Sequence, residues 1–164
     1  MSIRPATPDD HDAIWGILEP MIRAGETYPL ARDMDRAAAF AFWFSPEKEV
    51  FVWEEGGRVQ GTYFLKANQQ GGGAHVANCG YVTAAEAQGR GIARAMCLHS
   101  LERAKERGFR AMQFNFVVSA NTRAVKLWSG LGFETVGRLP LVFEHPKQGF
   151  VDALVMVRRI SSVS

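Results

Sequence analysis

The sequence has only two cysteines, Cys79 and Cys97, and no apolar run of the roughly 18 residues that a membrane span requires. The two cysteines lack the spacing of metal ligands or of a disulfide framework, and they are typical of reduced thiols in a cytosolic protein. The first residues, MSIRPATPDDHD, lack the apolar stretch of a secretory signal. We therefore expect a cytoplasmic protein with no bound metal and no membrane partner.

A concentrated positive charge is also missing. The chain carries 19 Lys and Arg residues against 17 Asp and Glu residues, and the two signs are well mixed. Nucleic-acid-binding domains concentrate basic residues on one face, whereas the most basic segment here, ERAKERGFR, interleaves Glu102 and Glu106 as a solvated helix face does. We expect no nucleic-acid partner, and the charge is compatible with one small anionic ligand.

Apolar residues are abundant, at 47% of the 164 residues, which is enough for one ordinary core. The patterns predict, in order, a strand, two helices, three strands, a helix, a strand, a helix and two strands, with a kink or an end of the first helix at Pro20. The consecutive strands are expected to be antiparallel, and the strand–helix–strand unit predicts a parallel pair. We therefore expect a single domain over residues 1–164 with a mixed α/β (α+β) fold.

The stretch EAQGRGIARAM, residues 86–96, places two glycines directly before helix-forming residues. Gly89 and Gly91 weaken any regular element, so they indicate a sharp turn or a close approach of the backbone to a ligand. No Gly-Lys-Ser/Thr sequence exists, which excludes a P-loop, and Arg94 occupies the position where a dinucleotide fingerprint needs Gly or Ala. The first N–H groups of a helix lack partners and attract phosphates; a plain structural turn is the alternative.

The pattern Gln88-x-x-Gly91-x-Ala93, between a strand and a helix, resembles the acyl-CoA diphosphate loop of the GNAT N-acetyltransferase superfamily. The downstream segment NTRAVKLWSGLGF, residues 121–133, matches a second motif of that family. The resemblance implies a GNAT-type fold, in which helices flank a sheet that is splayed at its centre. It also implies acetyl-CoA as cosubstrate and direct attack by an amine in a ternary complex.

The resemblance places the coenzyme along the central strand and the loop that follows it. The diphosphate is expected in the loop, and the pantetheine arm beside the preceding strand, whose open edge offers N–H and C=O groups. The expected coenzyme-binding residues are Tyr81, Val82, Thr83, Gln88, Gly89, Arg90, Gly91, Ile92, Ala93, Asn121 and Trp128.

Trp128 is a departure from the family pattern, which often has a tyrosine there that protonates the leaving thiolate. An indole N–H cannot supply a proton at neutral pH. A thiol of pKa about 8.5 nevertheless leaves as thiolate at pH 7 at a cost of only about 2 kcal/mol, so turnover is not excluded. Packing in the core is the structural alternative for Trp128, and a CoA-binding sensor without turnover is the alternative for the protein.

Asparagines on two central strands are candidate catalytic residues. Strand alternation predicts that Phe114, Phe116 and Val118 share one face of their strand, with Gln113 and Asn115 on the other. A buried amide needs a partner, which is either a neighbouring loop or a ligand.

Three segments, HVANCGYV, FNFVVSAN and GFVDALVM, are similar to the fungal acetyltransferases that act on azetidine-2-carboxylate and other proline-type amines. Asparagines at matching places in those enzymes are implicated in catalysis. The resemblance implies that Asn78 holds the substrate or polarises the acetyl carbonyl, and that Asn115 and Asn121 serve the reacting centre and the coenzyme. An amide orients groups or stabilises an oxyanion, but cannot act as a general base.

The loop AGETYPL is similar to the acceptor-side loop of small-molecule amino-acid acetyltransferases. Glu26, Thr27 and Tyr28 are therefore expected to line the acceptor pocket with Asn78, and a surface connector is the alternative. Deprotonating an alkyl amine at pH 7 costs roughly 4 kcal/mol, and His75 and Glu26 are the candidate bases. Cys79 as a nucleophile is a further alternative.

The sequence thus predicts an acetyl-CoA-dependent N-acetyltransferase for a small-molecule amine, an amino acid or a proline-type analogue. Other acceptors remain open at this stage: an antibiotic, a polyamine or a protein amino terminus. A homodimer is an expectation from the family alone.

Overall fold

The computed structural model describes residues 1–160, so the last four residues of the expected 1–164 domain lie outside the described part. Seven strands form one sheet in the order β1-β2-β3-β4-β5-β7-β6. The strands are β1 (Ser2–Pro5), β2 (Glu49–Glu55), β3 (Arg58–Ala67), β4 (Val76–Thr83), β5 (Ala111–Val118), β6 (Glu134–His145) and β7 (Gly149–Arg159). The α-helices are α1 (His11–Ala24), α2 (Arg36–Trp43), α3 (Ile92–Glu106) and α4 (Thr122–Gly130).

The predicted order of elements and the mixed α/β class are confirmed. The pair β4–β5 is parallel, and the other neighbouring strands are antiparallel. The helices of residues 1–160 are too short or too polar to cross a membrane.

Pro20 does not end the first helix, because α1 continues to Ala24 and ends at Gly25 in a left-handed conformation. Proline removes one helical hydrogen bond, but the apolar side of α1 is deeply buried against the sheet. That burial outweighs the lost bond. The buried residues of α1 are Ile14, Ile17, Leu18 and Ile22.

The two faces of the sheet are covered by different helices. On β3, Tyr63 pairs its hydroxyl with Nδ1 of His99 on α3, at 2.7 Å. The neighbouring Thr62 accepts a 3.2 Å hydrogen bond from the indole of Trp43 on α2. We call these the α3 face and the α2 face; α4 lies on the first and α1 on the second.

The sheet opens into a fork between β4 and β5. The two strands pair only through Val76 with Ala111 and through Ala77 with Met112, and then diverge. The register between β5 and β7 is irregular between Phe114 and Val117, which bends β5 away. The expected central splay is therefore confirmed, and it leaves the edge of β4 that faces β5 open over residues 78–83.

The irregularity also overturns the expected alternation along β5. Phe114 stacks on Phe133 at 4.4 Å between ring centroids, whereas Phe116 contacts Phe143 at 6.1 Å. Val117 and Val118 are consecutive and both buried. An extra residue in one strand shifts all later side chains to the opposite face, so Phe116 no longer shares the environment of Phe114.

Candidate active site

A cavity of about 870 Å³ occupies the fork and continues past the loop between β4 and α3. Its walls come from α1, the segment after α1, β4, the start of α3, β5 and α4. Its size is that of a site for a small ligand or a cofactor. It brings together the site residues expected from the sequence, except Arg90 and the candidate base His75.

The loop before α3 has the backbone of an anion cradle. Gly89 and Gly91 have φ angles of 81° and 80°, a left-handed conformation that glycine adopts without a steric penalty. A Cβ on Gly89 would lie 3.0 Å from Nη2 of Arg123. Gly91 is the N-cap of α3 and offers no side chain to the first N–H groups, so these groups are free to bind a ligand.

The guanidinium of Arg90 is engaged outside the cavity. It donates to Glu55 at 2.8 Å and to Gln60 at 3.1 Å, and it lies 5.9 Å from the ring centroid of Trp53. Of Arg90, only the backbone is therefore available to bind an anion in the loop. The arginines that line the cavity are instead Arg94 and Arg123.

Arg123 lines the cavity although no sequence pattern had indicated it. It stands in the first turn of α4, two residues after the cap residue Asn121, and the fold brings this turn against Gly89. Two guanidinium groups beside a helix N-terminus suit a diphosphate. The loop, the open strand edge and the elongated cavity together fit acetyl-CoA.

The open edge of β4 is linked to the acceptor-side loop through Tyr28. The hydroxyl of Tyr28 donates to the carbonyl of Tyr81 at 3.2 Å, and burial raises the pKa of Tyr28 well above its ordinary value, so the hydroxyl stays protonated. Gly80 makes room for this contact, because a Cβ there would lie 2.5 Å from the ring of Phe64 and 2.8 Å from Oη of Tyr28. A glycine inside an apolar strand was the available signal for this close approach.

Trp128 is both a core residue and part of the cavity wall. The centroid of its ring lies 5.2 Å from the ring centroid of Tyr81 and 5.1 Å from that of Phe114. The hydroxyl of Tyr81 is turned to Ser100 Oγ at 2.6 Å, and burial raises its pKa well above the usual range. Tyr81 is therefore not placed to protonate the leaving thiolate in place of the tyrosine that the family often has at the position of Trp128.

Asn78 stands at the apex of the fork. Its Nδ2 donates to the carbonyl of Gln113 at 2.9 Å, immediately beyond the last β4–β5 pair. Within residues 1–160 its Oδ1 has no hydrogen-bond partner, and the residue lines the cavity. The bond to β5 fixes the amide, so Oδ1 is a positioned acceptor.

The side-chain oxygens of the other two asparagines accept hydrogen bonds from groups of the protein. Asn115 is exposed; its Oδ1 accepts from Gln113 at 2.9 Å, and its Nδ2 donates to Asn68 at 2.6 Å. Asn121 caps α4, because its Oδ1 accepts from the N–H of Ala124 at 3.2 Å. Both residues line the cavity, but Asn78 offers the better-placed free oxygen.

The expected acceptor residues Glu26, Thr27 and Tyr28 line the opposite part of the cavity. Glu26 also forms a 3.2 Å ion pair with Lys147, in the turn between β6 and β7. This ion pair connects the loop after α1 to the β6–β7 hairpin.

One of the two candidate bases does not line the main cavity. His75, directly before β4, lines a separate cavity of about 350 Å³ with Arg110 and Arg159. Glu26 lines the main cavity. Cys79 also lines it but is buried, and burial raises the pKa of its thiol well above the ordinary value, which disfavours the thiolate.

The comparisons with known proteins agree with this geometry. Residues 14–133 match the family model described as acetyltransferase (GNAT) family. N-acetyltransferase aca1 of Schizosaccharomyces pombe is 26% identical over 153 residues, covering 82% of this chain and 72% of the relative.

Two solved structures show how closely the fold agrees. A GCN5-related N-acetyltransferase from Kribbella flavida has a TM-score of 0.92 and 39% identity, with 96% of each chain covered. A structure of yncA, a putative acetyltransferase from Salmonella typhimurium with its cofactor acetyl-CoA, has a TM-score of 0.85 and 22% identity, covering 100% of this chain and 96% of that one. The fork, the glycine loop and the family match lead to one conclusion: the chain belongs to the GNAT acetyltransferase family, whose members use acetyl-CoA.

Proposed function

We propose that this protein transfers the acetyl group of acetyl-CoA to the amine of a small molecule, an amino acid or a proline-type analogue. The observation that carries the proposal is the fork, because one continuous cavity joins the glycine loop, the open edge of β4 and the acceptor-side loop. A donor and an acceptor bound there meet beside Asn78.

Each part of the cavity has a separate task in this proposal. Acetyl-CoA supplies an activated acetyl thioester when bound. The backbone of residues 88–93 and the guanidinium groups of Arg94 and Arg123 hold the diphosphate. The backbone of Tyr81, Val82 and Thr83, apart from the Tyr81 carbonyl that accepts from Tyr28, pairs with the pantetheine arm. Asn78 orients the reacting groups, and Glu26 attracts the cationic amine and receives its proton, directly or through water.

The proposal also includes the cellular location and the oligomeric state of the protein. We propose a cytoplasmic homodimer, which is supported by exposed apolar side chains on the β6–β7 hairpin, where Leu141 and Phe150 are each 64% exposed. Exposed apolar surface of this kind commonly marks a contact with another chain.

Thiol release from acetyl-CoA, measured with a panel of amines, tests the proposed activity. The panel contains amino acids, cyclic amines, a polyamine, an aminoglycoside and a peptide with a free amino terminus. We expect release that depends on the amine and is fastest with amino acids. Binding of acetyl-CoA without release for any amine would instead support a sensor, and fastest release with another class would replace the amino acid as acceptor.

Replacing Cys79 with alanine is expected to leave kcat within about threefold of wild type, because a buried thiol with a raised pKa supplies little thiolate. Intact-mass measurement after mixing with acetyl-CoA should detect no acetylated protein. An acetyl adduct that disappears in Cys79→Ala, together with loss of turnover, would establish a covalent route.

Replacing Arg123 with glutamine is expected to weaken acetyl-CoA binding by about tenfold, because a charge-assisted contact to phosphate is lost. The difference from wild type should shrink as salt rises, since salt screens exposed charges. Calorimetry at two salt concentrations measures both effects. Lys126→Gln is the matched control on the same helix, since Lys126 is exposed and does not line the cavity; equal losses in both variants would remove Arg123 from the site.

A further inference from the structure

The α2 face carries a lysine beside two residues that line the cavity, although the lysine itself is not part of the lining. Lys66 lies on β3 directly opposite Asn78 of β4. Side chains two residues apart on a strand share a face, so Lys66 is on the same face as Phe64, and Phe64 and Asn78 both line the cavity. The ammonium group of Lys66 is therefore within reach of a ligand bound beside Asn78.

Lys48 brings a second positive charge to the same place. Its Nζ lies 3.6 Å from the ring centroid of Phe42 and 4.3 Å from that of Phe64, two rings of the cavity wall. It also donates to the carbonyl of Phe42 at the end of α2. Burial lowers the pKa of Lys48 to about 8, and the positive charge of Lys66 contributes to the same shift.

The pair is not neutralised by the described part of the chain. Within residues 1–160 no salt bridge joins Lys48 or Lys66 to a carboxylate. Glu47 interacts electrostatically with both lysines, but it is exposed and accepts a hydrogen bond from Ser45 at 2.9 Å. The two positive charges of Lys48 and Lys66 are thus balanced only by the solvated carboxylate of Glu47. The remaining positive charge favours the binding of an anion.

Resting on the acetyltransferase activity proposed above, we propose that Lys66, reinforced by Lys48, binds the carboxylate of the acceptor, so that the acceptor is an amino acid. Its amine then lies toward Asn78 and Glu26, and its carboxylate lies at the lysine pair. A polyamine would bring a second cation to the same pair and be repelled. The carboxylate contributes through ground-state binding, so its loss affects KM more than kcat.

Matched pairs of acceptors test this assignment. L-proline is compared with pyrrolidine, and L-alanine with ethylamine, in the wild type, Lys66→Met, Lys66→Arg and Lys105→Met. In Lys66→Met we expect kcat/KM to fall about tenfold or more for each amino acid, mainly through KM, and to change less than about twofold for each simple amine. Lys66→Arg should recover most of the loss, and Lys105→Met, on the exposed side of α3, should behave as wild type.

The outcomes separate this inference from the proposed activity. Equal effects of Lys66→Met on both members of a pair, or no effect on either, would overturn the assignment of Lys66 and leave the acetyltransferase activity intact. Turnover of no amine by the wild type would overturn the proposed activity. In that case calorimetry with L-proline and CoA decides about Lys66, because equal binding by the wild type and Lys66→Met contradicts the carboxylate subsite.

Discussion

Replacing Gly91 with aspartate is expected to weaken acetyl-CoA binding by at least about 100-fold, while the chain stays folded. Gly91 is the N-cap of α3, and among the described residues a Cβ there would meet no atom within 4 Å. Aspartate tolerates the left-handed conformation better than most residues and is a favoured N-cap. Its carboxylate would occupy the N–H groups that are proposed to hold the diphosphate and would repel that group, and calorimetry with acetyl-CoA measures the loss.

The matched control for this change is Gly57→Asp. Gly57 lies in the exposed turn between β2 and β3 with a φ of 76°, close to the 80° of Gly91, and a Cβ there also meets no described atom within 4 Å. This variant should bind acetyl-CoA like the wild type. Circular dichroism confirms that both variants are folded, and wild-type affinity in a folded Gly91→Asp variant would refute the diphosphate site.

Replacing Asn78 with alanine is expected to lower kcat by about 100-fold and to change the affinity for acetyl-CoA by less than about twofold. The amide is held by its bond to Gln113 and presents Oδ1 to the cavity, so its removal acts on the orientation of the reacting groups. Loss of the hydrogen bond from Asn78 to Gln113 lowers the free energy of unfolding by about 1 kcal/mol, so the variant is expected to stay folded. Steady-state kinetics and calorimetry on the same preparations separate the two effects.

Asn68→Ala is the control for Asn78→Ala. Asn68 accepts from Asn115 at 2.6 Å but does not line the cavity, so its loss should change kcat by less than about threefold. Unaltered kcat in Asn78→Ala would reject a catalytic role for that amide. An equal loss of kcat in both variants would point to the shape of β5 as the cause.

The sequence predicted the parts of the site that depend on neighbouring residues. The loop at Gly89 and Gly91 was visible because glycine spacing before a helix has a local physical reason, namely positive φ and free N–H groups. The splay between β4 and β5 was expected only through the family resemblance. Periodicity alone indicated strands and could not indicate where their pairing stops.

The parts that the sequence missed depend on contacts between distant segments. Arg90 lies in the glycine loop, yet its side chain turns to Glu55, 35 positions earlier in the chain. Arg123 reaches the loop only because α4 packs beside it. The irregularity at Asn115 is set by the register with β7, and no local pattern in the β5 segment marks it. Contacts between segments that are distant in the sequence determine each of these three features.

The ion pair between Glu26 and Lys147 has a consequence for how firmly the loop after α1 is held. Both side chains are solvent-accessible, and exposed pairs of this kind contribute only about 0 to 1 kcal/mol. Thermal motion therefore opens and recloses this link readily, and rising ionic strength weakens it. The loop after α1 and the β6–β7 hairpin are therefore joined by a weak, salt-sensitive contact that can break without any rearrangement of the sheet.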